Sequence, residues 1–390
     1  MPIGQNQEAR TRYLEAVELR DRNPQMPFTS MATLLGYQRA SNARHAWIQG
    51  LRILGRDSEI PATRQVRVST GGTVRTYEVL DVEGFVPNAN FTFGVEIELV
   101  NMTQGRCAST LVNAGHEAFE ERYNHNTQRY WKIVSDSSLR GRNGTAEAVS
   151  PVLRGQQGAN ELRSVMKALR DGGARTNSSC GQHIHIGVEH LNRLQQANLI
   201  SLHHVWNSAF DAYVLESRLN TTFSRKRSST RQTQDFAQAW ATNSTEQNMD
   251  LSRRAQMNRY MNLNIASYHK YGTFEFRMHH GSLNGKNTTA WIALHTAFIQ
   301  AVADGNLAYS TSEIADWLED VNDPTAGIMD TDQIQRRIDG GYNLPRAHQV
   351  ALAKMLNTKL MRLGYITQDL HDYLNARAGN VPTNATSRNA

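Results

Sequence analysis

Phe91-Thr-Phe-Gly-Val-Glu-Ile-Glu-Leu99 alternates along its whole length. Phe93, Val95, Ile97 and Leu99 fall on one side of an extended strand, and Gly94, Glu96 and Glu98 on the other. Cβ atoms two residues apart on one strand face are roughly 6–7 Å apart. Two carboxylates that close repel unless a cation or a proton lies between them. The stretch therefore reads either as a metal-binding or catalytic pair or as a solvated strand face.

Other stretches repeat the pattern. Cys180-Gly-Gln-His-Ile-His-Ile-Gly-Val188 puts Ile184, Ile186 and Val188 on one face and His183, His185 and Gly187 on the other. Tyr271-Gly-Thr-Phe-Glu-Phe-Arg-Met-His279 sets Phe274, Phe276 and Met278 against Thr273, Glu275, Arg277 and His279. The shorter Gly144-Thr-Ala-Glu-Ala-Val-Ser-Pro151 carries Glu147 between two alanines. If these strands share one sheet, their apolar faces bury against helices and their polar faces line a common cleft. Four glutamates and a histidine make a hard-oxygen donor set. Such a set suits Mg²⁺ or Mn²⁺ better than a thiolate metal.

A chain of 390 residues has room for a sizeable core and for two or three domains. No apolar run approaches the roughly 20 residues a membrane helix needs. No charged-then-apolar signal segment opens the chain, so a cytoplasmic protein without membrane association is expected. Cys107 and Cys180 suggest no disulfide framework. Cys180 reads as a small packing residue or as a soft metal ligand. The net charge of +6 favours polyanions, nucleotide phosphates among them, without demanding nucleic acid.

Residues 1–60 read as a helical region. Phe28 to Tyr37, then Gln38 to Leu54, outline a helix-turn-helix. Its second helix would turn Arg44, His45 and Arg52 outward if Ala43, Ala46, Trp47, Leu51 and Leu54 face in. That is either a groove-reading helix for nucleic acid or an ordinary helical hairpin. Residues 61–90 read as a β-hairpin linker turning at Ser69-Thr-Gly-Gly-Thr73, with Val66, Val68, Val74 and Tyr77 on one face. The region of alternating strands is placed at 91–305, further helices at 306–375, and a disordered tail at 376–390. Within that region, Asn113 to Asn124 reads as a helix. His203 and His204 read as structural or surface residues of a long helix. The basic, hydroxyl-rich segment 221–250 reads as a lid over phosphates or as a solvated excursion.

Phe93-Gly-Val-Glu-Ile-Glu98, Asp136-Ser-Ser138, Glu147-Ala-Val-Ser-Pro151, Asn177 through Cys180-Gly-Gln-His-Ile-His185, Asn264 and Thr273-Phe-Glu-Phe-Arg277 occur in that order. The set resembles the amidoligase family, in the superfamily of glutamine synthetase and glutamate–cysteine ligase. The resemblance spans roughly residues 91 to 305. It implies an α+β fold: a curved, mostly antiparallel sheet of the glutamine synthetase catalytic type with helices on its outer face. The helical N-terminal region lies outside it.

The resemblance also implies an ATP- and Mg²⁺-dependent (or Mn²⁺-dependent) carboxylate–amine ligase. In such enzymes a substrate carboxylate takes the γ-phosphoryl group, and an amine then displaces phosphate to leave an amide. By position, Glu96, Glu98, Glu147 and Glu275 correspond to metal ligands. His185, with His183 as its neighbour, lies near nucleotide phosphates and metal, and Asn264 falls among the nucleotide-binding positions. Arg277 corresponds to the cation that neutralises the transferring phosphoryl group, with Arg259 a second phosphate contact. Asp136 would hold or deprotonate the amine. Phosphoryl transfer is mostly positioning and charge neutralisation, so these are the parts it needs. The partners implied are small-molecule or peptide carboxylates and amines. A metal-dependent hydrolase or nuclease, or a DNA-binding protein using the N-terminal helices, would fit parts of the same pattern.

Overall fold

The computed structural model describes residues 7–23, 26, 28–37, 40–56, 64–67, 74–77, 84–219, 221–222, 224–226, 229–253, 259–319 and 329–380. The chain divides into two compact units, Met1–Gly84 and Phe85–Ala390.

The first unit holds α1 (Gln7–Arg22), α2 (Phe28–Leu34), α3 (Ala40–Ile53) and a hairpin of β1 (Arg64–Arg67) and β2 (Val74–Tyr77). Its helices pack through Ala16, Phe28, Met31, Ala32, Ala43 and Ala46. The outward face expected of α3 is only partly there. His45 is exposed, but Arg44 is buried, and Leu54 is 49% exposed instead of facing in. The hairpin strands pair with Val66 opposite Arg75. Its turn, 68–73, and the side chain of Arg52 lie outside the described residues.

The second unit is α+β. After β3 (Thr92–Val100) come α4 (Gln104–Asn113), β4 (Ala118–Glu120), β5 (Trp131–Val134), β6 (Thr145–Val149), β7 (Leu153–Arg154), α5 (Gly155–Asp171), β8 (Gly181–Gly187) and α6 (Arg193–Asp211). A 3₁₀ turn, Glu216–Arg218, leads to α7 (Thr230–Thr242), α8 (Thr245–Arg253), β9 (Leu263–Asn264), α9 (Tyr268–Tyr271), β10 (Thr273–His280) and α10 (Gly285–Ala303). The chain continues in α11 (Thr311–Glu319), α12 (Thr331–Asp339), α13 (Arg346–Arg362) and α14 (Gln368–Arg377). The strands form one open sheet in the order β4-β5-β6-β3-β8-β10-β9, with β7 also on β3. β4 runs parallel to β5, and the other pairs are antiparallel.

The alternation of β3 is realised. Phe93, Val95, Ile97 and Leu99 are buried with Ile184, Ile186, Phe274 and Phe276 under the helices. α6 and α10 meet this face directly: His203 and His295 lie within 5.5 Å and 4.3 Å, ring to ring, of Phe276. His203 and His204 are thus core residues, and His204 Nε2 is 3.0 Å from Thr230 Oγ1. Leu352, Leu356 and Leu360 of α13 join the same core.

Three expectations fail here. The helix expected over Asn113 to Asn124 lies earlier, at Gln104–Asn113. Thr103 caps its start and Gly115, at φ 90°, follows its end, so the next residues are free to form the edge strand β4. Along α7, the segment read as a lid or a solvated excursion is neither. α7 inserts Phe236, Ala237 and Trp240 into the core, with Trp240 6.1 Å from the Phe274 ring, so it belongs to the apolar side. His279 also turns away from the cleft. A β-bulge between Phe276 and His279 adds one residue to the register, which sends His279 to the Gln182 side of the sheet and onto Trp291 at 5.0 Å.

This histidine-bearing core predicts a pH response. Burial pushes His295 down to about 3, although its hydrogen bond to the Trp291 carbonyl favours the charged form. An unfolded imidazole titrates near ~6.5, so the unfolded chain takes up a proton that the folded chain refuses. Stability is therefore lost as pH falls below that value. His295→Phe should lose less Tm between pH 7 and pH 5 than the parent does, measured by thermal melts. Identical pH slopes would discount the histidine.

Candidate active site

Cross-strand register builds the site. Residues directly opposite on paired strands share a face. Asn264 stands opposite Glu275, Glu275 opposite His185, and His185 opposite Gly94. Glu96 stands opposite His183, and Glu98 opposite Glu147. The polar face of the sheet therefore carries Asn264, Glu275, Arg277, His183, His185, Glu96, Glu98 and Glu147 together.

Within this row the donors separate into two groups. Glu96, His185 and Glu275 offer ligand atoms within 4.8 Å of one another, and so do Glu98, Asp136 and Glu147. The four glutamates expected as one set are thus shared between two. His183 stands between the groups. Its Nδ1 is 2.8 Å from Glu96 Oε2 and 3.5 Å from Glu275 Oε1, and its Nε2 is 3.8 Å from Glu98 Oε1. The register separates the two histidines, which spacing alone leaves equivalent: His185 joins a donor group, whereas His183 ties the groups together. Both cysteines are free and buried, and Cys180 packs with Val100 and Leu139 rather than joining either group.

The electrostatics follow from this crowding. Burial pushes the Glu96 carboxyl up, but hydrogen bonds from His183 and His185 outweigh it and hold the group well below the usual carboxylate range. Burial would lower His185, yet Glu275 and Glu96 raise it. Glu275 is likewise buried, and Arg277 and the histidines bring it down. Glu275 also accepts from Asn264 Nδ2 at 2.5 Å and pairs with the Arg277 guanidinium. Glu147 moves the other way. Burial and then the charges of Glu96, Glu98 and Asp136 push it well above the usual range. Three crowded carboxylates need a proton or a cation among them, and the all-oxygen donors fit Mg²⁺ or Mn²⁺.

That crowding has a measurable consequence. A carboxyl raised in the folded state costs stability as pH climbs above its unfolded value, because the folded protein holds a proton the unfolded chain releases. A divalent cation bound among these carboxylates would replace that proton. In EDTA near pH 7.5, Glu147→Gln is expected to melt above the parent. Mg²⁺ should stabilise the parent by about 2.7 kcal/mol at one hundred times its Kd, and the variant much less. An equal Mg²⁺ response in both proteins would remove Glu147 from the cation site.

Other predicted residues take clear places. Asp136 is half-buried, accepts from the Ser138 N–H at 2.7 Å, and stands inside the second donor group instead of apart from it. Arg259 is exposed, lies 5.1 Å over the Tyr260 ring, and acts electrostatically on Tyr123 and His125. Gly94 lies beside His185 on the polar face. A methyl group there would find ordinary space, 3.6 Å from Ser150 Oγ and 3.8 Å from His185 Cβ, so packing alone does not require a glycine at this position.

One segment near the polar face went unread in the sequence. Segment 121–130 is held from two sides: Tyr271 Oη donates to the His125 carbonyl at 2.7 Å, and Lys132 Nζ donates to the carbonyls of Asn124 and Asn126 at 2.9 Å each. Tyr271 itself lies edge-on to His185 at 5.8 Å. Lys132, whose ammonium burial pushes down, had a signal: a lysine in the apolar strand Tyr130-Trp-Lys-Ile-Val134. Tyr271 had none, because its role depends on a contact 146 residues away.

No helix among the described residues is long and apolar enough to cross a membrane. No curated protein matches the chain. The family model described as "Putative amidoligase enzyme" matches residues 89–299, from just before β3 into α10, and so takes in every strand of the site. The chain belongs to the amidoligase family.

Proposed function

We propose that the protein is an ATP- and Mg²⁺-dependent carboxylate–amine ligase acting through an acyl phosphate. The observation that carries this reading is the pair of hard-donor groups on one sheet face, with the Glu275–Arg277 pair beside them. Glu96, His185 and Glu275 would hold one divalent cation, and Glu98, Asp136 and Glu147 another. When bound, these ions neutralise phosphate charge and orient the transferring group. This reading moves Asp136 from amine handling to cation binding, and puts His185, expected near both the phosphates and the metal, in the first donor group.

A carboxylate oxygen of the acid substrate attacks the γ-phosphorus, and the bond from that phosphorus to ADP breaks. The amine nitrogen then attacks the acyl carbon, the bond to phosphate breaks, and the departing phosphate takes up the proton that the amine loses. The chain's part is to place and shield. Arg277 faces the charge that develops during transfer, and Asn264 and Glu275 hold Arg277 and each other in place. Segment 121–130, tied by Tyr271 and Lys132, excludes water that would hydrolyse the acyl phosphate. The glutamine synthetase type of catalytic sheet belongs to the same proposal. Supporting it are the open, mostly antiparallel order of strands and the separation of polar and apolar faces.

The test is nucleotide turnover with ATP, Mg²⁺ and a mixed pool of amines and carboxylates, read by ADP release and by mass spectrometry of products. ADP release that needs both an amine and an acid, with a new amide mass, is expected. ADP release unchanged when the amine is withheld would point to a hydrolase and overturn the ligase reading.

A further inference from the structure

Arg218 lies at the Glu98 end of the polar face. The 3₁₀ turn Glu216–Arg218 packs against β10 and delivers the side chain there, 8% exposed. Gly181 marks the spot. It occupies the same strand face as His183, and its N–H donates to Glu98 Oε2 at 2.5 Å. A methyl group added at Gly181 would meet Arg218 Nη2 at 2.6 Å and His183 Nε2 at 3.2 Å. The guanidinium is thus seated over the glycine, next to His183, in space that any larger residue at 181 would claim.

Among the described residues, no hydrogen bond or ion pair to this guanidinium forms, and its Nε is buried without a partner. Glu98 and Arg277 act on it only at longer range. Arg277 differs, since Glu275 holds it. A buried cation without a partner is costly, and arginine does not readily shed its proton to escape that cost. A fold keeps such a group where an incoming anion completes it. The five donors of the guanidinium match the paired oxygens of a carboxylate or a phosphoryl group.

We infer that Arg218 forms an oxyanion subsite at the Glu98 end of the cleft, which takes a phosphoryl or carboxylate group of the substrate. Calling that group substrate rests on the ligase reading; the subsite itself rests on the geometry of Arg218 and Gly181.

Thermal melts of the full chain in Mg²⁺ buffer test it, with inorganic phosphate or acetate as probe against chloride at equal ionic strength. The parent should gain about 2 °C or more with one of the two anions. A larger gain with phosphate assigns the phosphoryl group, and a larger gain with acetate assigns the carboxylate. Arg218→Met should lose the gain. Gly181→Ala keeps the charge but pushes the guanidinium off its seat, and should lose the gain as well; it decides alone if Arg218→Met does not fold. A parent without the gain, or a gain that survives in the folded variants, overturns the subsite. An anion response without amine-dependent ADP release leaves the subsite standing and removes the ligase reading.

Discussion

Glu96→Gln is expected to lower ATP turnover by about 10²–10³-fold while the protein stays folded. The carboxylate makes two contacts that glutamine cannot reproduce together. One oxygen lies 2.8 Å from His183 Nδ1 and the other 3.3 Å from His185 Nε2. An amide keeps the shape, but one end becomes a donor, so one histidine loses its acceptor. The charge also disappears. That removes an anionic donor from the Glu96, His185 and Glu275 group and one of the charges that raise His185. Loss of an orienting partner typically costs 10–100-fold, and loss of one preorganised electrostatic contact about 10²–10³-fold. Because the volume is unchanged, no cavity forms, and the protein should stay folded with a Tm lowered only by the lost histidine contact. ADP production within tenfold of the parent would take Glu96 out of the site.

Arg277→Lys is expected to lower kcat by about 10²-fold, with a much smaller change in the KM for ATP. Arg277 and Glu275 are two residues apart on the same strand face and form a buried ion pair, and Arg277 Nη1 is 3.4 Å from His183 Nδ1. If that pair were only structural, lysine would keep the charge beside Glu275 and the rate would hardly change. If the guanidinium also neutralises charge that develops on the transferring phosphoryl group, the planar fork matters, and an ammonium does not replace it. The rate separates the two cases, and a melting curve checks that lysine has kept the pair, because breaking a buried pair lowers stability whereas losing a transition-state contact does not. A kcat within a few-fold of the parent would sink the catalytic assignment.

The strands of the site were legible because their signal is local. A period of two with Glu96 and Glu98 opposite Val95 and Ile97 can be satisfied only by a sheet with one dry and one polar face. The same holds for His183 and His185 against Ile184 and Ile186, and for Glu275 against Phe274 and Phe276. The resemblance to the amidoligase family rested on those residues, and the family match covers them.

What tertiary structure decided is which polar residues meet. Alternation puts Glu96, Glu98, Glu147 and Glu275 on polar faces but leaves the register between strands open. Pairing Glu98 with Glu147 and Glu275 with His185 is what divides the donors into two groups. One extra residue in β10 turned His279 from the cleft into the core, a change that a two-residue period cannot register. Segment 221–250 reads as a lid or a solvated excursion, yet within it Phe236 and Trp240 fall on one helical face, stack on each other, and Trp240 meets Phe274. Arg218 sits in a short turn with no periodicity at all. Only the fold brings it to Gly181, because burial and partners are properties of contacts between distant segments, whereas period and composition are properties of neighbours.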